Sequence, residues 1–213
     1  GKVAGIAEIS MAKNERESLQ VVLRSRKDIE NVKLSVSDLS LSEDPSIKIS
    51  SDSIKIYPVG YVKAPKPPYP REELEWYPDP LLNFMDSFKL DKDVWQPIWI
   101  DVRTDFESKA GLYSGKIIVE GDKVSKLEIP FLVRVWNFSL PKQNTIPVVI
   151  AHGNPTWFYK KNVKDCDLDK IVIDAEDMLL RHRITPSPIY NAQKAVTAED
   201  ALRWREKGGK EFN

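Results

Sequence analysis

Apolar residues recur at every second position through most of the first 140 residues. In SLQVVLRS, Leu19, Val21 and Leu23 point one way; in NVKLSVSDL, Val32, Leu34 and Val36 alternate with Lys33, Ser35 and Ser37. In QPIWIDVRT, Ile98, Ile100 and Val102 alternate with Trp99, Asp101 and Arg103, and Leu127, Ile129, Phe131, Val133 and Val135 hold one face of a later run. A period of two gives each strand one buried and one wet face. Turn residues punctuate the pattern at Asn14-Glu15, Asp44-Pro45, Lys109-Ala110-Gly111 and Gly121-Asp122. Short strands at such spacing predict a mainly β fold, an antiparallel β-sandwich.

One stretch breaks the rhythm. KAPKPPYPREELEWYPDPLLN, 63–83, carries six prolines. Proline donates no ladder hydrogen bond, so this is no central strand but a long, stiff, extended excursion. Trp76, Tyr77 and Asp79 lie at its far end. An aromatic ring beside a carboxylate suits a sugar; equally, Trp76 and Leu81 can simply pin the segment to a neighbouring surface.

The grammar changes after residue 141. Val148, Val149, Ile150 and Ala151 form an unbroken apolar run, as in a strand buried on both faces of a parallel sheet. Leu168, Ile171, Val172, Ala175, Met178 and Leu179 then fall at helical spacing, with Asp167 as N-cap and Arg181, His182 and Arg183 at the negative end of the dipole. ITPSPIYN reads as a second strand. Thr197 with Asp200 resembles a capping box, although the usual partner is Glu or Gln, and Gly208-Gly209 would stop the helix it opens. Strand, helix, strand, helix is the beginning of a parallel α/β domain. We therefore expect a sandwich over residues 1–141 and an incomplete α/β, TIM-barrel-like segment over 142–213. On this reading the chain is a piece of a longer protein, and Gly1 in place of Met fits a trimmed or mature chain. The apolar face of the 168–182 helix should be covered by the sandwich or by self-association with a second copy.

Composition excludes more than it assigns. The 213 residues include 32 basic and 32 acidic ones, so net charge gives no general attraction to nucleic acid or an anionic membrane. No run is long and apolar enough to span a bilayer. Two histidines and one cysteine, widely spaced, make no standard zinc site, and neither a Gly-rich phosphate loop nor G-x-S-x-G is present. No cofactor is expected. His182 reads as a contact of dipole and solvent, and Cys166 as a packed or exposed thiol before a helix.

The order of several stretches resembles one family. KNERESLQVVLRS, NVKLSVSDL, YPVGYV, WYPDPLL, WQPIWIDVRT, AGLYSGKIIV and FLVRVWNFSLP follow one another as in the N-terminal β-sandwich of glycoside hydrolase family 123 and its uncharacterised relatives. IPVVIAHGNP is similar to the first strand of their catalytic (β/α)8 barrel. The resemblance implies a carbohydrate substrate, a β-N-acetylgalactosaminide, cleaved with substrate-assisted retention. An adjacent Asp-Glu pair on a later barrel strand would orient the acetamido group and act as acid/base. That pair lies beyond this chain, so the segment alone should be inactive. The resemblance alone also favours a periplasmic or secreted bacterial protein.

Within the chain, the acidic clusters EWYPDP, DCDLDK and DAEDM read as solvated or capping carboxylates. Active-site groups of a barrel gather at the C-terminal ends of its strands. His152, Asn154 and Trp157 follow the first strand, and Tyr190 and Asn191 the second; with Trp76 and Asp79 they are the candidate sugar-binding residues. The plainer alternative is a loop packed on itself, with Trp157 and Phe158 as a cap. Two rival functions stay open: a carbohydrate-binding sandwich with Trp76, Tyr77 and Trp99 as stacking platforms, and an Ig-like structural or adhesion module.

Overall fold

The computed structural model describes residues 5–63, 76–143, 145–146, 148–151, 156–187 and 197–207. The chain divides into two compact units, Gly1–Leu140 and Pro141–Asn213.

The first unit is built from two sheets. One contains β1 (Ala7–Lys13), β3 (Ile29–Val36), β4 (Leu39–Leu41), β5 (Lys48–Ile49), β8 (Phe88–Leu90), β10 (Gly111–Glu120) and β11 (Leu127–Ser139), in the order β1-β11-β10-β3-β8, with β4 beside β10 and β5 beside β4. The other contains β2 (Arg16–Leu23), β6 (Ile54–Lys63), β7 (Trp76–Leu81) and β9 (Gln96–Arg103), in the order β2-β9-β6-β7. The expected alternation builds the core. Ile98, Ile100 and Val102 of β9, Phe131 and Val133 of β11, and Leu39 and Leu41 of β4 are fully buried. Burial of such side chains is worth about 1.5–3 kcal/mol each before entropy is counted.

Two departures follow from pairings distant in sequence. β1 runs parallel to β11, Ala7 opposite Phe131 and Met11 opposite Val135, whereas antiparallel pairing was expected throughout. The far end of the proline-rich stretch is also not part of an excursion. Residues 76–81 form β7, an edge strand antiparallel to β6, with Tyr61 opposite Pro78 and Lys63 opposite Trp76. Pro78 and Pro80 are tolerated there because an edge strand needs only one side of its backbone for pairing. The rest of that stretch, 64–75, lies outside the described residues.

In the second unit, β12 (Val149–Ala151) and β13 (Thr185–Ser187) pair in parallel, with Val149 opposite Thr185 and Ala151 opposite Ser187. Three helices accompany them: α1 (Thr156–Asn162), α2 (Leu168–Arg181) and α3 (Ala198–Glu206). The Asp167 side chain accepts from the Lys170 amide and caps α2. Thr197 and Asp200 exchange both capping-box hydrogen bonds. α1 was not expected; at seven residues it is too short to show a period. α2 packs against β13 and α1 of its own unit. Its buried residues are Glu176 and Leu180, and Met178, 45 % exposed, lies off the packed stripe. Among the described residues, two strands and three helices do not amount to a barrel, and the chain as described is mainly β.

Candidate functional site

The register of β12 and β13 puts Ala151 beside Ser187 at neighbouring C-terminal strand ends. The candidate segments run on in sequence from these two residues. His152, Asn154, Tyr190 and Asn191 lie outside the described residues. Trp157 belongs to α1, where only its backbone is described. Thr185, Pro186 and Ser187 are buried, so β13 is covered on both faces; the apolar run of β12, expected to be buried on both faces, instead leaves Ile150 43 % exposed.

Trp76 and Asp79 stand on β7 and are exposed. Lys63, opposite Trp76 in the ladder, places its Nζ 5.9 Å from the Trp76 ring centroid. β6 lies between β7 and β9, so Trp76 and Trp99 are not on adjacent strands. The structure does not bring the three rings of the stacking-platform reading into one row.

A different row does form. Because Ile98, Ile100 and Val102 face inward, Trp99 and Asp101 face out. Trp99 has Gln20 of β2 on one side and Tyr57 of β6 on the other, and Asp101 stands between Ser18 and Lys55. Trp95, one residue before β9, is 57 % exposed, and the Arg24 guanidinium carbon sits 4.8 Å from its ring centroid. Arg24 also pairs with Asp93 at 3.3 Å. The Tyr61 hydroxyl donates to the Trp95 carbonyl at 2.5 Å. An open cleft of about 1470 Å³ lies where the β1 and β2 edges of the two sheets meet, lined by Ala7, Leu19, Val21, Leu127 and Ile129 as well as Arg24 and Trp95; Trp99 is not part of it. It is larger and more open than a usual small-molecule pocket.

Two carboxylates read as solvated are in fact buried. Asp101 is only 6 % exposed; its Oδ2 accepts from Arg16 at 2.6 Å and its Oδ1 from the Ser18 hydroxyl at 3.1 Å. Glu176 is 8 % exposed; its Oε2 accepts from the Arg203 guanidinium and, at 3.1 Å, from Trp204 Nε1. Asp177 beside it pairs with Arg203 at 2.8 Å and with Lys207. Burial pushes the Asp177 carboxyl up, but the Lys207 ammonium and the Arg203 guanidinium outweigh it and hold the group below the usual carboxylate range. A buried charge needs such partners, and a sequence pattern cannot display them. These pairs fasten strand to strand and helix to helix. Each carboxylate is committed to its cations, and neither cluster resembles an acid/base pair.

His182 is the C-cap of α2, its backbone amide donating to Leu179. Cys166 Sγ lies 3.8 Å from the Val163 carbonyl. Among the described residues, no three His, Cys, Asp or Glu side chains gather as metal ligands, and no helix is long and apolar enough to cross a membrane.

No curated protein sequence matches the chain. A solved family 123 glycoside hydrolase from Clostridium perfringens, from work on glycolipid glycan hydrolysis, superposes with a TM-score of 0.69 at 20% identity. The match covers 83% of this chain and 32% of that one, so the chain spans about a third of the hydrolase's length. Likeness to the periplasmic chaperone SfaE and to self-complemented MyfA from Yersinia enterocolitica is much weaker. Each has a TM-score of 0.34 at 10% identity; the shares covered are 69% and 64% for SfaE, 63% and 93% for MyfA. The family model described as the glycoside hydrolase 123 N-terminal domain matches residues 7–121, more than half of the chain. The chain belongs to the glycoside hydrolase 123 family, of which it carries the N-terminal domain.

Proposed function

We propose that this chain is the N-terminal portion of a glycoside hydrolase acting on N-acetyl-β-hexosaminides of the GalNAc type by substrate-assisted retention. Family membership carries the reading. The parallel pairing of β12 with β13, with α2 between them in sequence, adds support, because that is how a (β/α)8 barrel begins. On this reading residues 142–213 open the catalytic barrel, and the acid/base pair lies on a later strand, beyond this chain.

The chemistry is that of an acetamido sugar. The carbonyl oxygen of the substrate's 2-acetamido group attacks the anomeric carbon as the glycosidic C–O bond breaks. A Glu donates a proton to the leaving oxygen, and the neighbouring Asp holds the acetamido N–H and its developing positive charge. Water then opens the cyclic intermediate from the original side, with the same Glu as base. Two displacements give net retention, and the substrate supplies the nucleophile that the enzyme carboxylate provides in most retaining enzymes. His152, Asn154, Trp157, Tyr190 and Asn191 would line the first part of the sugar site. Aromatic faces there suit sugar C–H bonds, and imidazole and amides suit hydroxyls.

The longer parent protein tests this. It should cleave an aryl N-acetyl-β-galactosaminide, release the β-anomer first, and leave untouched the aryl β-galactoside that lacks the acetamido group. Equal cleavage of both would falsify acetamido participation.

A further inference from the structure

We infer that the Asp79–Pro80 peptide bond is a self-scission site, cut in acid while the protein stays folded, and that the fold shields the other Asp–Pro bond of the chain, Asp44–Pro45. The chemistry needs no second molecule but water. The proline nitrogen takes a proton, and an oxygen of the preceding aspartate's carboxylate attacks its own backbone carbonyl carbon. The C–N bond breaks, proline leaves as a secondary ammonium, and a five-membered cyclic anhydride remains. Water opens the anhydride and restores aspartate with a free α-carboxylate. The nucleophile is already tethered to the reacting carbonyl, so its effective concentration is high wherever the side chain is free to rotate onto it. Rotation is therefore what the fold permits or forbids.

The two bonds stand in opposite settings. Asp44 sits in a closed turn: its Oδ1 accepts from the Ser46 amide at 3.1 Å and from the Ser46 hydroxyl at 2.6 Å, and its carbonyl accepts from the Ile47 amide at 3.0 Å. These bonds aim the carboxylate at Ser46, and the turn has to open before the group can swing back onto the Asp44 carbonyl carbon. Asp79, by contrast, is exposed on the edge strand β7. The ladder with β6 is irregular there: Val59 faces Leu81 and Tyr61 faces Pro78, so Asp79 and Pro80 together stand opposite Gly60. Among the described residues, no hydrogen bond or ion pair holds the Asp79 carboxylate. The ionisable side chains of β6 are placed elsewhere. Lys55 and Tyr57 stand in the stretch paired with β9, the Tyr61 hydroxyl donates to the Trp95 carbonyl, and the Lys63 ammonium lies over the Trp76 ring. A cut at this bond leaves the sandwich standing, because β1, β2 and β6 of the first piece stay paired with β11 and β9 of the second.

The test holds the 213-residue chain at the lowest pH at which it still melts cooperatively, below its melting range, and follows intact mass and new N-termini under denaturing conditions. A sample unfolded in guanidinium at the same pH runs beside it, and incubation continues until that sample is cut. In the folded chain we expect fragments 1–79 and 80–213 to accumulate roughly tenfold or more faster than 1–44 and 45–213, the factor set by breaking one hydrogen bond to a charged group. In the unfolded chain the two bonds should be cut at similar rates. Size exclusion without denaturant should show the nicked pieces still together. Asp79→Glu, whose carboxylate would have to close a larger ring, and Pro80→Ala, whose nitrogen leaves less readily, should each abolish the cut. Both positions are exposed, and a melting curve verifies that the variants fold. Ser46→Ala should speed the cut at Asp44–Pro45. Equal rates at the two bonds in the folded chain, no cut at Asp79–Pro80 by the time the unfolded chain is cut there, or the same preference in the unfolded chain would each overturn the inference.

Discussion

The Asn14 side-chain amide donates a 2.8 Å hydrogen bond to the carbonyl of Leu140, 126 residues later in the chain. The Leu140 amide returns one to the Lys13 carbonyl at 2.9 Å. The tight turn between β1 and β2 thus fastens the last residue of the first unit.

Asn14 does this from a left-handed backbone, φ 53°. Asparagine tolerates that region better than alanine, and glycine tolerates it freely. Asn14→Gly should lose the hydrogen bond to Leu140, about 1 kcal/mol, and Asn14→Ala about 2 kcal/mol, since strain is added. Chemical denaturation of the two variants measures the difference; equal losses would mean that the backbone angle carries no cost.

Gly115 is a second test of packing. A Cβ there would stand 2.6 Å from Leu39 Cδ2, 2.7 Å from Ser37 Oγ and 2.9 Å from the Asp38 carbonyl oxygen. Leu39 is fully buried and the carbonyl is backbone, so neither yields easily. Gly115→Ala should cost about 1–3 kcal/mol, seen as a lower melting temperature. An unchanged melt would show that β4 is free to move away from β10.

Tyr113 titrates in a direction that can be checked. Its hydroxyl donates to the Lys109 carbonyl at 2.7 Å, and burial raises its pKa above the ordinary phenol value. The folded state therefore holds this proton more tightly than the unfolded chain does. The contribution is complete below the unfolded pKa, about 10, and is lost as pH rises from there through the folded value. Tyr113→Phe should cost about 1 kcal/mol at neutral pH and should flatten the alkaline decline in stability. A decline as steep as in the wild type places its source elsewhere.

The helix pair of the second unit should be acid-sensitive. The folded pKa of Asp177 is lowered, so its contribution is complete above the ordinary carboxylate pKa, about 4, and disappears as pH falls through the lower folded value. Hydrogen exchange in α3 should accelerate below that pH, and less so in Lys207→Met. Arg203→Met leaves Glu176 buried without its cation and should cost about 3 kcal/mol. Undisturbed exchange in α3 of that variant would show that the ion pairs do not hold the helices together.

What the sequence displays is what local chemistry decides. The inner faces of β9 and β11, the Asp167 cap and the Thr197–Asp200 box all depend on residues a few positions apart, and all are readable from the pattern. Asp101 and Glu176 occupy polar positions of amphipathic elements and therefore read as solvated. Their partners Arg16 and Arg203 lie 85 and 27 residues away, and only folding brings them in. The parallel pairing of β1 with β11 is hidden for the same reason. β7 was hidden by its own prolines, which argue against a central strand and say nothing against an edge. Of the candidate sugar-binding residues, Trp76 and Asp79 stand exposed on β7, and nothing in their surroundings marks a sugar site. The row around Trp99 needed the register of three strands, which periodicity alone does not supply.

The central claim is that this chain is the non-catalytic beginning of an N-acetyl-β-hexosaminide hydrolase. Its most direct test is release of para-nitrophenol from para-nitrophenyl N-acetyl-β-galactosaminide, measured side by side for the 213-residue chain and for the full-length product of its gene. The account predicts turnover by the full-length protein and none by the chain. Turnover by the chain alone, or an inactive full-length protein, would contradict it.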